Sequence, residues 1–489
     1  MLTGNPVPAQ QLPFTSLEIA DIPQGSRGVA LADLDGNGRL DIAVANQVDS
    51  SRLAGNAVYL NFETGFRKLA LAEGNKSAWS ESAHAVDVDN DHDADLFFTT
   101  QFGAPNLLFL NEGKGSFVAA DAGDLTRDST NSPGACWCDY DRDGDLDVFI
   151  VNRDGNDDLL YSNAGNGRFV RMAIGPWSGA GGDGRSCAWG DLDGDGMPDL
   201  YVVNFVRKQA GKVIGKHKNF LYWNRGSAYF EAAESGVLVE DEHASYGVSL
   251  IDYDYDLDLD VYVSNVSASD PNAFYENRGG GRFLKRGDLA LSQFTNRPSK
   301  GQAWGDFNND KWLDLYVANG TEAYPEIQNY LFLGGPDFGF KRVYETLPAI
   351  EPHISAGTAL GDLDGDGDLD IYVANWGGDA EANDLYLNQH RTNHWLKLRL
   401  VGVKSNSSGY GSWVILTLEN GETLTRYVTG QTGYGSGNAP EVHFGLGGTP
   451  RMRSMEVVWP SGARQFATHL IPDTFYRITE DGNIEILSQ

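Results

Sequence analysis

Short apolar segments separated by polar turns recur along most of the chain. Seven of them begin with aspartate and read DIAVAN from Asp41, DLFFTT from Asp95, DVFIVN from Asp147, DLYVVN from Asp199, DVYVSN from Asp260, DLYVAN from Asp314 and DIYVAN from Asp370. Short runs of β-branched and aromatic residues bounded by Gly, Asn and Asp predict β-strands. The chain is therefore predicted to be all-β.

Each of these strands belongs to a longer repeated unit. A small-residue strand precedes it, a strand such as NLLFLN from Asn106 follows it, and a Gly-rich turn leads to a fourth strand headed by an aromatic residue. The units begin 54, 52, 52, 61, 54 and 56 residues apart, which is typical of four-stranded propeller blades. The last unit lacks its fourth strand, and we expect residues 14–20 to supply it and close a seven-bladed β-propeller.

An aspartate-rich loop of nine residues stands between the first two strands of every unit. All seven loops fit D-x-[DN]-x-[DN]-x-x-x-D, starting at Asp33, Asp87, Asp139, Asp191, Asp252, Asp306 and Asp362. Oxygen ligands at positions 1, 3, 5 and 9, with a backbone carbonyl at 7, suit calcium. An EF-hand is excluded because it needs flanking helices and a glutamate at position 12.

The sequence therefore predicts about seven structural Ca²⁺ ions as the cofactor. A catalytic metal is disfavoured, because a loop that supplies five or six oxygens leaves little room for substrate. The predicted ligands are Asp33, Asp35, Asn37, Arg39 and Asp41; Asp87, Asp89, Asp91, Asp93 and Asp95; Asp139, Asp141, Asp143, Asp145 and Asp147; Asp191, Asp193, Asp195, Met197 and Asp199; Asp252, Asp254, Asp256, Asp258 and Asp260; Asp306, Asn308, Asp310, Trp312 and Asp314; and Asp362, Asp364, Asp366, Asp368 and Asp370.

The formal net charge of −31 is concentrated in these loops, which hold 30 of the 68 acidic residues. Seven divalent ions would bring the net charge to −17, so we interpret many of the acidic residues as metal ligands. Nucleic acid and anionic membranes are poor partners for such a chain. A membrane-spanning segment is also not expected, because the sequence contains no apolar stretch of about 18 residues.

The pattern changes near residue 391, where the aspartate loops stop and short strands with tight turns continue to the end. We therefore predict a propeller over residues 1–390 and a separate β domain of the sandwich type over 391–489. The first residues lack the basic and apolar regions of an export leader, which predicts a cytoplasmic protein; export with the leader removed is the alternative. Cys136, Cys138 and Cys187 are interpreted as buried small hydrophobes rather than a disulfide framework or a metal site.

The repeats resemble the FG-GAP/VCBS blades of integrin-α-type propellers. The tail segments at 393–396, 443–447 and 458–462 resemble the ASPIC/UnbV domain that follows such propellers in the cartilage-acidic-protein group. This resemblance implies the propeller fold and two functional contexts. One is adhesion or ligand recognition, and the other is enediyne-type biosynthesis, in which family members accompany biosynthetic enzymes.

Polar residues just ahead of the innermost strands are expected to surround one mouth of the central channel, where a site could form. Those with candidate catalytic roles are His84, His353, Asp183, Arg185, Lys300 and Tyr246, and Arg27, His243 and Glu351 occupy similar positions. The histidines could act as acid or base near neutral pH, with Arg185 or Lys300 stabilising an anion. A solvent-filled channel mouth without any binding or catalytic site would contain the same polar residues.

Two functions are consistent with this sequence. The first is a cofactor-free enzyme that performs a cyclisation or carbon–carbon coupling on a polyketide-derived small molecule at the channel mouth. The alternative is a non-enzymatic binding protein that recognises a glycan or protein through the propeller face, since a fold does not fix a function. The oligomeric state does not follow from the sequence.

Overall fold

The structure is a computed structural model that describes residues 12–19, 25–47, 55–71, 79–209, 212–294, 298–325, 327–377, 381–448 and 450–488. Within these ranges the chain forms seven four-stranded antiparallel sheets, followed by two further four-stranded sheets. The predicted all-β, seven-bladed fold is confirmed. No helix in the described ranges has the length and apolar character needed to cross a bilayer.

The first six blades are each built from consecutive strands, inner strand first. Blade 1 contains Ser26–Ala32, Asp41–Asn46, Ala57–Phe62 and Gly65–Leu69; blade 2 contains Ser80–Val86, Asp95–Thr100, Leu107–Asn111 and Phe117–Ala119; blade 3 contains Gly134–Cys138, Asp147–Val151, Leu159–Asn163 and Phe169–Arg171. Blade 4 contains Gly184–Gly190, Asp199–Asn204, Phe220–Asn224 and Phe230–Ala232; blade 5 contains Ser245–Ile251, Asp260–Asn265, Ala273–Asn277 and Phe283–Lys285; blade 6 contains Ser299–Gly305, Asp314–Asn319, Tyr330–Leu333 and Lys341–Val343.

Blade 7 combines both ends of the propeller. Its strands Ser355–Gly361, Asp370–Asn375 and Asp384–Asn388 are completed by Phe14–Ser16, which pairs antiparallel with the third strand. The fourth strand of the last blade therefore comes from the start of the chain, which removes the open sheet edge of the repeat array.

A recurring asparagine links neighbouring blades. The asparagine that ends the third strand donates from Nδ2 to a backbone carbonyl of the preceding blade, as Asn111 does to Leu34 at 2.9 Å. The bond from Asn61 to Leu363 O, at 2.8 Å, joins blade 1 to blade 7 across the closure. Blade 6 has Gly334 at this position instead. The repeated Asn of the third-strand motif is thus explained by blade-to-blade attachment.

Small additions interrupt the repeats. Blade 4 carries a hairpin, Val206–Gln209 and Lys212–Lys218, which pairs with Glu242–His243. Helices are limited to one-turn segments in the described residues, at Asp124–Thr126, Val237–Glu240, Ala290–Ser292 and Leu347–Ile350.

The tail is a β-sandwich of two sheets. One sheet contains His394–Val401, Val442–Gly447, Thr474–Thr479 and Ile484–Ser488; the other contains Trp413–Leu418, Thr423–Tyr427, Met452–Val458 and Arg464–Ala467. Their facing side chains, such as Leu398, Val414, Phe444 and Val457, are fully buried and pack together with apolar residues of blades 2 and 3. The tail and the propeller therefore share a hydrophobic core.

A segment of the tail also enters the propeller channel. Gly437 N donates to Val29 O at 2.9 Å, and Gly435 O accepts from Ala83 N at 3.0 Å, so this segment pairs with inner strands of blades 1 and 2. On the opposite side, Gly433 O accepts from Ser186 Oγ of blade 4 at 2.7 Å. A Cβ on Gly435 would lie 3.0 Å from Glu81 O, and Gly435 has φ +60°, so a glycine suits this narrow passage.

Candidate functional site

The aspartate loops share one internal geometry. The position-1 carboxylate accepts the backbone N–H of position 6, as Asp33 does from Gly38 at 2.9 Å. The position-9 carboxylate accepts from position 2 and from the third strand, as Asp41 does from Leu34 at 2.8 Å and from Asn61 at 2.6 Å. Position 9 therefore fastens each loop to its own blade.

The carboxylates of a loop converge on one point. In the first four loops, oxygens from positions 1, 3 and 9 lie within 4.8 Å of one another. Within the part of the chain that the structure describes, buried carboxylate oxygens such as Asp33 Oδ1, Asp89 Oδ1 and Asp139 Oδ1 lack a hydrogen-bond partner. Because an unpaired buried acceptor is costly, these loops fit an oxygen-ligated cation.

Burial raises the pKa of the position-9 carboxyls above the ordinary value. The pKa of Asp41 is raised to about 7, and those of Asp95 and Asp199 to about 8, with burial as the main cause and nearby aspartates adding to it. Without a cation, these three position-9 carboxyls would therefore be partly protonated near neutral pH.

Side chains of the tail touch the first aspartate of several loops. Ser407 Oγ donates to Asp87 at 2.6 Å and Thr425 Oγ1 donates to Asp252 at 2.5 Å. Lys397 Nζ lies 2.5 Å from Asp362 Oδ2, with both side chains buried. The tail therefore covers the loop face of the propeller, a contact that the sequence did not predict.

Charged and aromatic side chains cluster in the channel toward the face opposite the aspartate loops. We call this cluster the hub; its central residues are Arg27, Arg185, Tyr246, Lys300, Trp376 and Tyr434. Arg185 lies 3.2 Å from Asp183 and packs over the rings of Phe205 and Tyr246 at 4.8 and 5.4 Å. The Tyr246 ring lies 4.6 Å from the ring of Tyr434, centroid to centroid, and Tyr434 belongs to the tail segment. The tail thus forms the floor of the hub.

The other half of the hub is built around a tryptophan. The Arg27 guanidinium lies 3.6 Å above the Trp376 ring, and Lys300 Nζ lies 4.7 Å from the same ring. Arg27 Nε is 3.8 Å from Glu81, which also accepts from Trp79 Nε1 at 3.1 Å. Four of the six predicted catalytic residues therefore belong to one connected cluster, namely Asp183, Arg185, Tyr246 and Lys300.

Lys300 is the unusual member of this cluster. It is 2% exposed, and its ammonium has no hydrogen-bond partner among the described residues. Burial and the charge of Arg27 lower the pKa of Lys300 to about 7, while Glu81 and Glu322 act in the opposite direction. In the described part of the chain, the Nε atoms of Arg27, Arg153 and Arg185 likewise lack a hydrogen-bond partner, although Arg27 is ion-paired with Glu81 and Arg185 with Asp183. The hub thus contains several unsatisfied cationic donors.

The two predicted acid/base histidines are not part of this cluster: His84 lies within an inner strand, and His353 lies just ahead of one. His84 is 1% exposed, bonds to Ser82 Oγ at 2.9 Å and packs against Phe97 and Trp137. Burial lowers its pKa to about 3, so it is a poor general acid near neutral pH. His353 lies beside Glu381 and Asp384 of blade 7. The structure therefore does not bring these histidines together.

The cysteines also differ from expectation. Cys136 and Cys187 form a disulfide between the inner strands of blades 3 and 4, with Cα atoms 5.8 Å apart, and Cys138 is free and buried. The interpretation of all three as unpaired small hydrophobes is wrong for the first two. Their separation of 51 residues is close to one repeat, so equivalent positions of adjacent blades face each other.

Fold and loops together define a class: a propeller of acidic-loop repeats that carries a β-sandwich tail. Models of the FG-GAP-like repeat match residues 33–98, 87–150, 139–202, 252–317 and 306–373, and the model described as ASPIC and UnbV matches residues 402–485. These matches cover well over half of the chain. The protein belongs to the FG-GAP-like repeat family and carries an ASPIC and UnbV domain.

Curated relatives include cartilage acidic protein 1. The Xenopus tropicalis protein is 24% identical over 470 residues, covering 77% of this chain and 70% of that protein. The human protein is 28% identical over 252 residues, which cover 50% of this chain and 37% of that protein.

Solved structures with a similar fold include an Agrocybe aegerita lectin described as recognising non-reducing terminal N-acetylglucosamine. It has a TM-score of 0.48 and 15% identity, and the match covers 74% of this chain and 98% of that chain. A structure described as YCF48 bound to D1 peptide has a TM-score of 0.46 and 9% identity, covering 78% of this chain and 98% of that chain. We draw no functional conclusion from these two structural similarities.

Proposed function

We propose that this protein is a calcium-stabilised propeller that binds an anionic small molecule at the hub. The observation that carries the proposal is the Lys300 ammonium, which is buried beside Arg27 and Trp376 and has no hydrogen-bond partner in the described ranges. A buried cationic donor is costly unless an acceptor satisfies it. A carboxylate entering the hub would supply that acceptor.

The surrounding rings narrow the chemistry of the ligand. Trp79, Phe205, Tyr246 and Trp376 are half-buried around the buried cations. Aromatic faces favour flat or ring-shaped groups, and arginine favours planar carboxylates. A ring-bearing carboxylate, such as an acidic sugar or a polyketide-derived acid, therefore fits both features.

Calcium has a structural role in this proposal. The oxygens of positions 1, 3, 5 and 9, with the carbonyl of position 7, would hold one ion per loop. A bound ion supplies positive charge to carboxylates that otherwise repel one another. Ions held by the loops would lie on the face covered by the tail, whereas the hub lies toward the other face, so they would not contact the ligand.

The Cys136–Cys187 disulfide favours export over the cytoplasmic location expected from the sequence. Disulfides persist in oxidising compartments and are uncommon in the cytosol. An exported propeller with an anion-binding hub is consistent with recognition of a glycan or another external ligand.

An enzyme is the second candidate, because one observation favours it. A lysine with a pKa of about 7 is substantially neutral at physiological pH and can accept a proton or act as a nucleophile. Lys300 would then replace His84 and His353 as the base, with Arg185 stabilising a developing anion. Cyclisation or carbon–carbon coupling of a polyketide-derived acid is the corresponding reaction.

Glucuronate and benzoate are suitable probes, with binding measured by isothermal titration in calcium buffer. We expect Lys300→Met to reduce affinity at least tenfold, whereas Lys404→Met, an exposed lysine of the tail, leaves it unchanged. Equal binding by wild type and Lys300→Met would overturn the hub proposal. The enzyme candidate predicts additionally that turnover of a polyketide-derived acid rises near pH 7 and is lost in Lys300→Met.

A further inference from the structure

Blades 5 and 7 carry the same short segment ahead of the inner strand. Residues 241–245 and 351–355 both have an acid, then a histidine two positions later, then a serine two positions after that. In both blades the tyrosine in the middle of the third strand donates to the acid. Tyr275 bonds to the first at 2.7 Å, and Tyr386 bonds to the second at 2.6 Å. The two places are therefore structurally equivalent.

A second carboxylate occupies the same position in each blade. In blade 5, Asp270 accepts the backbone N–H of Ala244 at 3.3 Å. In blade 7, Glu381 accepts the backbone N–H of Ile354 at 2.9 Å. Each histidine therefore lies next to two acids that the same backbone contacts hold in place.

In blade 5, two lysines neutralise this arrangement. Lys285 Nζ lies 2.6 Å from Asp241 Oδ2, and Lys216 from the blade 4 hairpin contacts Asp270. His243 completes the group, with Nδ1 at 3.7 Å from Asp270 Oδ2. The carboxylates here are balanced by ammonium groups within the protein.

The equivalent group in blade 7 contains one more carboxylate than that of blade 5 and, among the described residues, no lysine. Lys285 pairs in register with Tyr275, and the residue that pairs in register with Tyr386 is Ser16. Asp384 adds a third acid, with Oδ2 at 3.7 Å from His353 Nε2. In the described part of the chain, no lysine or arginine lies within 4.0 Å of Glu351, Glu381 or Asp384.

We propose that blade 7 binds a divalent transition-metal ion, of which Zn²⁺ is the representative, through Glu351, His353 and Asp384. One ligand atom from each of these residues lies within 4.8 Å of the others. The His353 and Asp384 side chains are 27% and 13% exposed, so the site is reachable from solvent. The ion takes the place that lysine ammoniums fill in blade 5.

The ligand set separates this site from the aspartate loops. Imidazole nitrogen with carboxylate oxygens suits zinc and its neighbours, whereas calcium prefers oxygen alone. Saturating calcium should therefore fill the loops and leave the blade 7 site to zinc. Tyr386, which donates to Glu351, would orient that ligand.

The test measures zinc bound to the full chain by equilibrium dialysis and metal analysis in millimolar calcium. We expect one tight zinc in the wild type and a loss of affinity on the order of 100-fold or more in His353→Ala, because a direct ligand is removed. His243→Ala, the equivalent change in blade 5, should retain the zinc. Absence of tight zinc in the wild type, or equal loss in both variants, would refute the site.

A second variant keeps all three ligands in place. Ser16→Lys puts an ammonium at the register position of Lys285 and should displace zinc while leaving the protein folded, as judged by circular dichroism. If this variant and the wild type bind zinc equally, the charge argument fails. If the wild type binds no zinc while His353→Ala alters the pH dependence of stability, His353 serves only as a protonated partner of the acids, which also overturns the proposal.

Discussion

The hydroxyl of Tyr434 donates a hydrogen bond of 2.5 Å to Glu81 Oε2, although the two residues lie 353 positions apart in the chain. Tyr434 comes from the tail and is 1% exposed, and Glu81 lies in the inner strand of blade 2. The tail therefore contributes both a cover to the loop face and a side chain to the hub. The tail and the propeller are therefore in direct side-chain contact at this point.

Replacing Tyr434 with phenylalanine should destabilise the protein. The variant leaves Glu81 with Arg27 and Trp79 but removes its strongest donor, so the free energy of unfolding should fall by about 1–3 kcal/mol. Urea denaturation in calcium buffer measures the change. Tyr229→Phe is the control because Tyr229 is 62% exposed, and similar losses in both variants would contradict a specific contact.

Removal of calcium should make stability depend on pH in a defined direction. The pKa values of Asp41, Asp95 and Asp199 are raised in the folded protein to about 7, 8 and 8, from an ordinary value of 3.8. Because these carboxyls bind protons more tightly in the folded than in the unfolded protein, protonation stabilises the folded state. This stabilisation is complete below pH 3.8 and is lost as the pH rises through about 7 to 8. The chelated protein should therefore melt at progressively lower temperature between pH 4 and 8.

Calcium should reverse much of that loss, since it binds the ionised carboxylates. The difference in melting temperature with and without chelator should be small at pH 4.5 and reach many degrees at pH 8, as measured by differential scanning calorimetry. A chelator effect that is flat across this range would show that the loops are not occupied.

The repeats were predictable because every blade is encoded by the same local sequence pattern. The pattern from Asp33 to Asp41 is repeated with its spacing intact, and the alternation after it identifies the strands. The role of Asn61 was not deduced, since its acceptor, Leu363 O, lies 302 residues away. Such attachments depend on which blades become neighbours rather than on any local pattern.

The hub was only partly predictable for the same reason. Positions ahead of inner strands indicated Arg27, Arg185 and Lys300, but Tyr434 and Trp376 come from other parts of the chain. A segment with several glycines, residues 430–437, was the available signal that a loop passes through a narrow space. The sequence alone could not show that this space is the channel.

Lys397→Met tests the contact between the tail and the last loop. Lys397 and Asp362 are 10% and 1% exposed at the side chain, so removal of the lysine leaves a buried carboxylate without its partner. In chelator, the free energy of unfolding should fall by about 3–5 kcal/mol. In calcium, the loss should be smaller because the ion also neutralises Asp362. Lys404 is exposed in the same domain, so Lys404→Met should change the free energy of unfolding little. If Lys397→Met lost the same free energy with and without calcium, Asp362 would not be a calcium ligand.

The disulfide gives a final prediction that distinguishes the three cysteines. Cys136 and Cys187 close a loop with a sequence separation of 51 residues, and such a cross-link is worth about 2–4 kcal/mol through the entropy of the unfolded chain. The double variant Cys136→Ala/Cys187→Ala should lose that amount in urea denaturation. Reductant should destabilise the wild type and Cys138→Ala, but leave the double variant unchanged, because Cys138 is free. Three reactive thiols in the denatured, unreduced wild type would contradict the pairing and remove the argument for export.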